Sequence, residues 1–373
     1  MKPLSGIRVL DLSRILAGPL SAMWMADLGA EVIKVERPGT GDETRRWGPP
    51  FVAGQSAYFL AVNRGKYGIT LDLAAPEGRE ALRRLVQGSD VLVHNFLPGT
   101  AERLGLSYPE LRKVNPRLVY VSISGFPPGP YRARPGFDAL IQAMGGLMAI
   151  TGEGARPVKV GVAIVDILCA WAALSGTLAA LISRARTGEG EEIALSLMEC
   201  SVAALANVGQ AFLLTREEPK RLGTAHPHIV PYQAFPAKDG LFMVAVGTDD
   251  QFRALCQVLG RPELAQDQRF ATNPARVAHR EELIALLSEI FSTKGREEWV
   301  EKLLSAGVPA GPVNSLAELF GDPGLVGGLL TEVEHPQVGR YPTVRCPLPQ
   351  ANPPSPLPPP LLGEHTREIL ARL

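Results

Sequence analysis

The sequence predicts an α/β fold built around a mostly parallel sheet, and three observations favour that class. Short aliphatic runs typical of buried strands alternate with segments in which apolar residues recur at helical spacing. Helical segments end at glycines, as Gly29 and Gly88 illustrate. The chain has 373 residues, enough for a large domain and a smaller one. Because strands joined by helices pair in parallel, we expect a sheet covered on both faces.

The alternation is clearest in the first third of the chain. Residues 6–13, 18–29 and 30–38 are predicted as strand, helix and strand, which together form a βαβ unit. A helix followed by a strand recurs in residues 77–96 and again in residues 108–126. The first crossover contains no G-x-G-x-x-G, so a dinucleotide site of the usual kind is not predicted.

The middle of the chain passes from regular elements into a charged, proline-containing stretch. We predict a long apolar helix over residues 165–186, a strand at 191–199 and a helix over 198–214. Residues 214–235 lack periodicity, so a domain boundary is placed there. A more helical unit follows, and the chain ends in a proline-rich extended run and a short helix.

The composition argues against several classes of partner. Lys and Arg together number 38, as do Asp and Glu, so the net charge is zero and no nucleic-acid partner is expected. We predict neither a signal peptide nor a membrane span, and hence a cytoplasmic location. The cysteines form no C-x-x-C pair, so neither a disulfide framework nor a zinc ribbon is predicted. They are Cys169, Cys200, Cys256 and Cys346.

Asp166 stands near the start of the long apolar helix and is the only acid between residues 160 and 181. A carboxylate there is stabilised by unpaired backbone N–H groups and by the helix dipole, so capping alone explains its presence. Its apolar flanks and the glycine-rich segment before it favour a second interpretation, a partly desolvated carboxylate that acts as a covalent nucleophile. The residues by themselves leave both roles open.

Other candidate side chains follow predicted strands. Asn95, Phe96 and Arg103 lie at and after the end of the strand at 90–96, where open α/β sheets bind ligands. Asn95 followed by Pro98 and Gly99 is also ordinary turn chemistry. Basic side chains near two other strands suit either phosphate binding or a solvated loop. They are Arg37, Arg45, Arg46, Arg64 and Lys66.

The sequence predicts no metal site and no serine nucleophile. His226 and His228 are separated by one residue but have no apparent third ligand. The segment SISGF at residues 122–126 departs from the G-x-S-x-G pattern of serine hydrolases. Asp166 is therefore the strongest nucleophile candidate.

Motifs along nearly the whole chain resemble, in the same order, those of the family III CoA-transferases (CaiB/BaiF). That family also contains formyl-CoA transferases, carnitine and bile-acid CoA-transferases, and α-methylacyl-CoA racemases. The motifs are LSGIRVLDLSRILAGPLSAMWMADLGAEVIKVERPGTGDETR, NRGKYGITLDL, DVLVHNFLPGTAERLGL, NPRLVYVSISGF, GFDALIQAMGGLMAITG, VGVAIVDILCAWAAL and PLLGEHTREIL.

This resemblance implies a Rossmann-like large domain and a smaller α+β domain in an interlocked homodimer. It places the large domain in residues 1–205, a linker at 206–228, the small domain at 229–318 and a C-terminal return to the large domain at 319–373. It also implies that coenzyme A and acyl-CoA enter as substrates beside a carboxylic acid, and that no cofactor is permanently bound.

The resemblance assigns roles to particular residues. Asp166 matches the catalytic aspartate, which attacks the acyl-CoA thioester and carries CoA between two acids as an aspartyl thioester. Asp138 is a second carboxylate expected at the catalytic site, in an orienting role. The positions that match CoA-binding residues are Ile15, Leu16, Ala17, Arg37, Leu71, Asn95, Phe96 and Arg103.

Three departures from the family pattern narrow the expected activity. Leu97 replaces an arginine found in many members, so one phosphate contact is lost. The glycine-rich loop that covers the active site of formyl-CoA transferase has no counterpart. Phe137 stands where the racemases carry the histidine of their acid–base pair, and a phenyl ring cannot transfer a proton.

Residues 225–260, 307–315 and 334–341 are most similar to the succinate–hydroxymethylglutarate (glutarate) CoA-transferases. We therefore expect CoA transfer to a dicarboxylic acid with succinyl-CoA as donor. The second carboxylate is expected to meet a cation or an N–H cluster in the small domain or the boundary loop. The alternatives are an α-methylacyl-CoA racemase and a CoA-binding protein without turnover.

Overall fold

The computed structural model describes residues 2–351 and 356–372. The chain divides into two compact units. The first combines residues up to Met148, Lys159–Glu217 and the chain from Gly327 onward. The second combines Ala149–Val158 with Glu218–Val326. Each unit has a hydrophobic core of its own.

The described elements alternate between strands and helices, as the sequence pattern predicts, over the first third of the chain. They are β1 (Arg8–Asp11), α1 (Ala17–Asp27), β2 (Glu31–Glu36), β3 (Phe51–Val52), β4 (Gln55–Ser56), α2 (Ala57–Asn63), β5 (Lys66–Thr70), α3 (Pro76–Gln87), β6 (Val91–His94), α4 (Thr100–Leu104), α5 (Tyr108–Val114), β7 (Val119–Ser124), α6 (Asp138–Met144) and α7 (Leu147–Ile150). The following stretch contains β8 (Gly152–Glu153), β9 (Arg156–Pro157), α8 (Ile164–Thr187), β10 (Glu192–Ser196), α9 (Leu197–Ala204) and α10 (Ala206–Thr215).

The remaining elements are more helical and end in a β-hairpin and a short helix. They are β11 (Tyr232–Ala237), β12 (Gly240–Ala245), α11 (Asp249–Val258), α12 (Asn273–Ala278), α13 (Arg280–Phe291), α14 (Arg296–Ser305), β13 (Ala310–Pro312), α15 (Leu316–Gly321), α16 (Pro323–Val326), β14 (Leu330–His335), β15 (Gly339–Val344) and α17 (Thr366–Leu370). Two 3₁₀ turns span Glu43–Arg46 and Pro262–Ala265.

The first unit is built on a six-stranded sheet in the order β10-β7-β6-β1-β2-β5, and all of its neighbouring strands pair in parallel. The predicted parallel α/β architecture is thereby confirmed. From β1 the chain first builds outward through β2 to β5, and it then crosses back to place β6 on the other side of β1. Such a reversal of strand order opens a crevice at the carboxyl ends of the strands, where ligands of open α/β sheets bind.

Side chains of the sheet alternate between two cores. Val9, Val32 and Val91 belong to one cluster of buried residues, and their neighbours Leu10 and Ile33 belong to the other. Because the central strands β1, β2, β6 and β7 are covered on both faces, both sets are largely aliphatic, which is why these strands show continuous apolar runs. The edge strand β10 instead alternates between exposed and partly buried residues. The sheet core therefore accounts for the strongest strand signals.

Helix α8 packs its buried side against α1 on the first face. The rings of Trp24 and Trp171 lie with centroids 4.3 Å apart, and Cys169 and Ala173 are fully buried in the same cluster. By length and mean hydropathy, 1.9 over 18 residues, α8 could also cross a membrane. Core helices meet the same criterion, so the absence of a membrane span stays a prediction.

The C-terminal chain returns to the exposed edge of the sheet. The backbone N–H of His365 donates to the carbonyl oxygen of Gly68 (2.8 Å), and the N–H of Thr70 donates to Thr366 Oγ1 (3.0 Å). Ile369 of α17 enters the core cluster beneath β5. Covering an edge strand in this way removes unpaired backbone groups that would otherwise attract other chains. Of the predicted proline-rich run, residues 352–355 lie outside the described part.

The second unit contains an antiparallel sheet in the order β11-β12-β13, packed with α11, α13 and α14 around a core that includes Phe235, Phe242 and Phe291. Its boundaries differ from the predicted ones at three places. Residues 319–326, predicted as the start of the C-terminal return, belong to the second unit, which ends at Val326. The predicted linker 206–228 is divided, because residues 206–215 continue as helix α10, which packs on α9 in the first unit. The hairpin β8–β9 belongs to the second unit, since Arg221 donates to the carbonyl oxygens of Ala149 and Gly154 (both 2.8 Å).

Candidate active site

The crevice at the carboxyl ends of β1, β6 and β7 holds a cavity that is partly open to solvent. The first turn of α8 contributes Asp166 to its wall. The remaining lining residues come from the loops that follow the three strands, from the segment before α6 and from the start of α9. They are Arg14, Ile15, Leu16, Ala17, Asn95, Phe96, Leu97, Pro98, Ile123, Ser124, Gly125, Arg134, Gly136, Phe137 and Leu197.

A second, larger cavity adjoins the first, and the two share Arg14 and Phe96. Four arginines line it, which suits the phosphates of a nucleotide. They are Arg14, Arg37, Arg46 and Arg103. We call the first cavity the Asp166 cavity and the second the arginine cavity.

The structure places all of the predicted CoA-binding residues on these two cavities. Ile15, Leu16, Ala17 and Asn95 line the Asp166 cavity. Arg37, Leu71 and Arg103 line the arginine cavity, and Phe96 lines both. Leu97, which departs from the family pattern, is 60% exposed and lines the Asp166 cavity and not the arginine cavity.

The loop after β1 is held in an unusual conformation. Ile15 has a φ of +73°, a region that β-branched residues rarely adopt and that costs about 1–3 kcal/mol. The amide of Asn95 secures the preceding residue in both directions, since it accepts from the N–H of Arg14 (2.9 Å) and donates to its carbonyl oxygen (2.7 Å). Asn95 therefore shapes the cavity wall through Arg14, a role that its turn chemistry did not reveal.

A buried charge network supports this loop from below. Lys66 Nζ donates to Asp11 Oδ2 (2.8 Å), and Lys34 Nζ lies 3.0 Å from Asp42 Oδ2. Burial opposes the charge of Asp11, but Lys66 and Lys34 together hold its pKa below the usual value. Burial lowers the pKa of Lys66 to about 8 despite the neighbouring Asp11. Because all four side chains are buried and satisfied by one another, Lys66 serves the fold and not a phosphate.

Two other basic residues singled out from the sequence are also paired with carboxylates of the protein itself. Arg64 is fully buried and pairs with Asp27 through both oxygens of that carboxylate. Arg45 pairs with Glu36 at 2.6 Å and donates to the carbonyl oxygen of Pro360 (3.0 Å). Of this basic group, the arginine cavity contains only Arg37 and Arg46.

Asp138 caps the helix that carries Asp166. Its Oδ1 accepts from the backbone N–H groups of Val165 (2.8 Å) and Asp166 (3.4 Å), while the N-cap residue Ala163 has no side chain that could do so. The capping role that the sequence left open for Asp166 thus belongs to Asp138. The carboxylate of Asp166 is thereby left to face the cavity.

Gln142 in turn fixes Asp138. Its Nε2 donates to Asp138 Oδ2 (2.6 Å), and its Oε1 accepts from the N–H of Val160 (2.8 Å). Gln142 is fully buried, so loss of either hydrogen bond would leave a polar group without water. A chain of hydrogen bonds therefore sets the position of Asp166. It runs from Val160 through Gln142 and Asp138 to the first turn of α8.

The surroundings of Asp166 favour its neutral form. Burial, and secondly the charge of Asp138, raise the pKa of Asp166 to about 7. Burial and the same two carboxylates raise the pKa of Tyr58 to about 12. A carboxyl group in a cavity whose pKa is raised by burial and by a neighbouring charge is typical of functional sites.

Four residues of the site were missed in the sequence. Arg14 directly follows the first strand and could have been singled out by that position alone. Gln142 lies one helical turn after Asp138, a spacing that allows the observed hydrogen bond. Tyr58 and Arg134 carry no signal of this kind, because only the folded chain brings them near Asp166.

The predicted histidine pair lies elsewhere. His226 and His228 are in the second unit, with ring centroids 6.2 Å apart, and His226 Nδ1 accepts from the N–H of His228. Among residues 2–351 and 356–372, no three His, Cys, Asp or Glu side chains are grouped as a metal site requires.

Comparison with known proteins gives a consistent result over the full length of the chain. Residues 4–366 match the family described as CoA-transferase family III. Succinyl-CoA:glutarate CoA-transferase of Mus musculus is 44% identical over 380 residues, covering 99% of this chain and 86% of the relative. Succinate–glutarate CoA-transferase of Agrobacterium fabrum is 44% identical over 382 residues, covering 100% and 96%.

A solved structure shows the same architecture. The crystal structure of a CAIB/BAIF family protein from Brucella suis superposes with a TM-score of 0.87 at 45% sequence identity. The match covers 100% of this chain and 99% of that one. The fold around the two cavities is therefore that of an established family.

Proposed function

Because the chain belongs to CoA-transferase family III, we propose that it transfers coenzyme A from succinyl-CoA to a second dicarboxylic acid, glutarate or a close relative, through Asp166. The chain is a CoA-transferase by this membership. The observation that carries the mechanism is the position of Asp166, on a helix terminus that Asp138 caps and in a cavity that shares Arg14 and Phe96 with the arginine cavity. The names of the relatives support the dicarboxylic substrates.

The two cavities suit the two ends of an acyl-CoA. The nucleotide part, with its phosphates, fits the arginine cavity, where Arg37, Arg46 and Arg103 supply cations and Leu71 an apolar wall. The pantetheine arm passes the shared residues Arg14 and Phe96 and presents the thioester to Asp166. Coenzyme A then enters and leaves as a substrate, with no resident cofactor.

The chemistry follows from a carboxylate nucleophile in two symmetrical halves. Asp166 attacks the thioester carbonyl and expels CoA thiolate, which gives a mixed anhydride. The thiolate attacks the aspartyl carbonyl of that anhydride, which releases the donor acid and leaves an aspartyl-CoA thioester. The acceptor carboxylate attacks this thioester and again expels CoA thiolate. The thiolate finally attacks the acceptor acyl carbonyl, forming the new acyl-CoA and freeing Asp166.

The surrounding residues favour these steps over hydrolysis. Ile15, Leu16 and Ile123 give the Asp166 cavity an apolar wall that limits water near the anhydride. Asp138 and Gln142 keep the first turn of α8 in place, so the attacking oxygen is held in a fixed orientation. No external energy source is needed, because a thioester is broken and another is formed in each turnover.

The test is to trap the intermediate. Protein incubated with succinyl-CoA and hydroxylamine or borohydride is analysed by intact-mass and peptide mass spectrometry beside Asp166→Ala. The expected result is a modification on Asp166 in wild-type protein that is missing in the variant, together with CoA transfer to glutarate. Acyl-CoA binding without any adduct, combined with exchange of an α-proton in deuterated water, would instead support the racemase alternative.

Phe137 already argues against that alternative. The ring lines the Asp166 cavity and is 55% exposed, at the position where a racemase needs a proton-transferring side chain. A phenyl ring has no ionisable group. Asp166 therefore has no partner at this position to form the acid–base pair that removes and returns the α-proton.

The family resemblance also leads us to propose an interlocked homodimer. Helix α10 is apolar in sequence, yet none of its residues is buried within one chain, and Leu213 and Leu214 are 57% and 75% exposed. Leu316 and Phe320 of the second unit are also exposed, at 74% and 48%. Exposed apolar residues in such numbers are typical of protein–protein contacts. We propose in addition a cytoplasmic location, with neither membrane nor nucleic acid as a partner.

A further inference from the structure

The Asp166 cavity contains an arginine that the mechanism above does not use. Arg134 lies four residues before Asp138, in the exposed segment that leads to α6, and it lines the same cavity as Asp166. Its guanidinium lies over the ring of Tyr131, with the carbon 4.4 Å from the ring centroid. Stacking of this kind orients the guanidinium plane and leaves its N–H edge available for a planar anion.

The charge of Arg134 is not neutralised within the described part of the chain, where no Asp or Glu lies within ion-pair distance of it. The other arginine of this cavity differs, because Arg14 pairs with Glu43 at 2.5 Å and also lines the arginine cavity. The raised pKa of Asp166 has burial and Asp138 as its causes, and no arginine opposes them. Arg134 therefore does not serve as the ion-pair partner of Asp166.

The substrate supplies a group that needs such a cation. A dicarboxylic acyl group reacts at one carboxyl carbon and brings its second carboxylate into a cavity that already holds Asp166. Without a compensating charge, desolvating that second carboxylate beside another acid is unfavourable. The apolar wall of Ile15, Leu16 and Phe137 suits the methylene groups between the two ends.

We propose that Arg134 binds the distal carboxylate of the dicarboxylic acid and so determines the preference for dicarboxylic over monocarboxylic substrates. This inference rests on the proposed function and adds to it the residue that selects the substrate class. It also relocates the cation expected in the small domain or boundary loop to the unit that carries Asp166.

The experiment compares two acceptors of similar length, one with a distal charge and one without. CoA transfer from succinyl-CoA to glutarate and to glutarate monomethyl ester is measured for wild type, Arg134→Gln and Arg134→Lys. Arg132→Gln is the matched control, because Arg132 lies two residues away, is exposed, and lines a neighbouring cavity instead. Arg103→Ala is the reference variant for the loss of a proposed CoA contact, because Arg103 lines the arginine cavity. Glutarate binding to the resting protein is followed by isothermal titration calorimetry.

The expected result is a loss of about 10- to 100-fold in kcat/KM for glutarate in Arg134→Gln, with the monomethyl ester little changed. Arg134→Lys should recover part of the loss, and Arg132→Gln should behave as wild type. Equal losses for both acceptors with a raised KM for succinyl-CoA, as in Arg103→Ala, would show that Arg134 holds CoA and would overturn the proposal. An Arg134→Gln variant whose kcat/KM for glutarate equals that of wild type would overturn the proposal as well.

The calorimetry separates this proposal from the function on which it rests. Glutarate that binds wild type but not Arg134→Gln, in a protein that transfers no CoA, would uphold the site and overturn the proposed function alone. Glutarate that binds neither protein, together with CoA transfer that is insensitive to Arg134, would uphold the transferase and overturn the site.

Discussion

At the scale of single residues, the properties of Asp166 depend on what surrounds it. The sequence shows a lone acid at the start of an apolar helix, and the same observation suits a cap and a nucleophile. The structure separates the two roles, since Asp138 accepts the hydrogen bonds of the helix terminus. Burial and the nearby charge of Asp138 then give Asp166 a pKa of about 7.

This pKa predicts the pH dependence of transfer. The nucleophile is the ionised carboxylate, so kcat/KM for succinyl-CoA should rise with pH and level off above about pH 7, falling roughly tenfold per unit below it. Asp138→Asn removes the charge that contributes to the shift, and the acid limb should move to lower pH while kcat falls. Burial remains the larger cause, so the limb should stay well above the pKa of a free carboxyl group. An acid limb that does not move in Asp138→Asn would contradict this assignment.

The same shift predicts a cost in stability. The pKa of Asp166 is higher in the folded chain than the value of about 3.9 in an unfolded one. Protonation of Asp166 therefore favours the folded state. Its contribution to the free energy of unfolding is fully present below the unfolded-state pKa of about 3.9 and is lost as the pH rises through about 7. Asp166→Asn should increase the free energy of unfolding at pH 8, by less than about 4 kcal/mol, with little effect at pH 4. Urea denaturation at both pH values checks it, and a gain independent of pH would refute the explanation.

At the scale of secondary-structure elements, the candidate site is formed by the loops that follow two strands and by the first turn of a helix. The loop after β1, the loop after β6 and the first turn of α8 meet because parallel strands bring their carboxyl ends to one edge. Each terminus is held by a side chain from another element: Asn95 secures the β1 loop, and Asp138 secures α8. The geometry of the candidate site is thereby tied to the packing of the sheet.

Substitution of Gln142 tests whether the position of Asp166 depends on these hydrogen bonds between elements. Gln142→Met keeps the volume but leaves Asp138 Oδ2 and the N–H of Val160 without their partner, which should destabilise the chain by about 1–3 kcal/mol. The first turn of α8 should then shift, and kcat should fall about 10- to 100-fold while the KM for succinyl-CoA changes little.

A matched variant distinguishes positioning from stability. Thr177 is buried on the same helix and donates to the carbonyl oxygen of Ala173 (2.7 Å), far along α8 from the cavity. Thr177→Val should reduce the free energy of unfolding without changing kcat. If both variants lowered kcat in proportion to their loss of stability, Gln142 would have only a structural role.

At the scale of the whole molecule, the exposed apolar residues of α10 and α15 predict association. Size-exclusion chromatography with light scattering should give twice the chain mass of 40.0 kDa. If the two chains are interlocked, tagged and untagged dimers mixed under native conditions should exchange no subunits for days, but should form mixed dimers after unfolding and refolding. Rapid native exchange would indicate a dimer without interlocking, and a mass of 40.0 kDa at all concentrations would contradict both proposals.

The sequence by itself determined the alternation of strands and helices, the parallel sheet and the candidate nucleophile. Local patterns suffice for these, because a strand buried on both faces must be aliphatic throughout and a helix must repeat its apolar residues every three to four positions. The motifs it shares with the CoA-transferases also singled out Ile15, Phe96 and Arg103, which line the Asp166 cavity or the arginine cavity.

Only the tertiary structure decided which polar groups satisfy one another. Lys66 and Arg64 resemble phosphate-binding residues in sequence, yet both are buried against carboxylates, since distant segments supply Asp11 and Asp27. Arg134 and Asp138 are four residues apart, yet in the folded chain Asp138 caps a helix and Arg134 lines the Asp166 cavity. Charges act over distances set by the fold and by burial, and neither can be read from spacing along the chain.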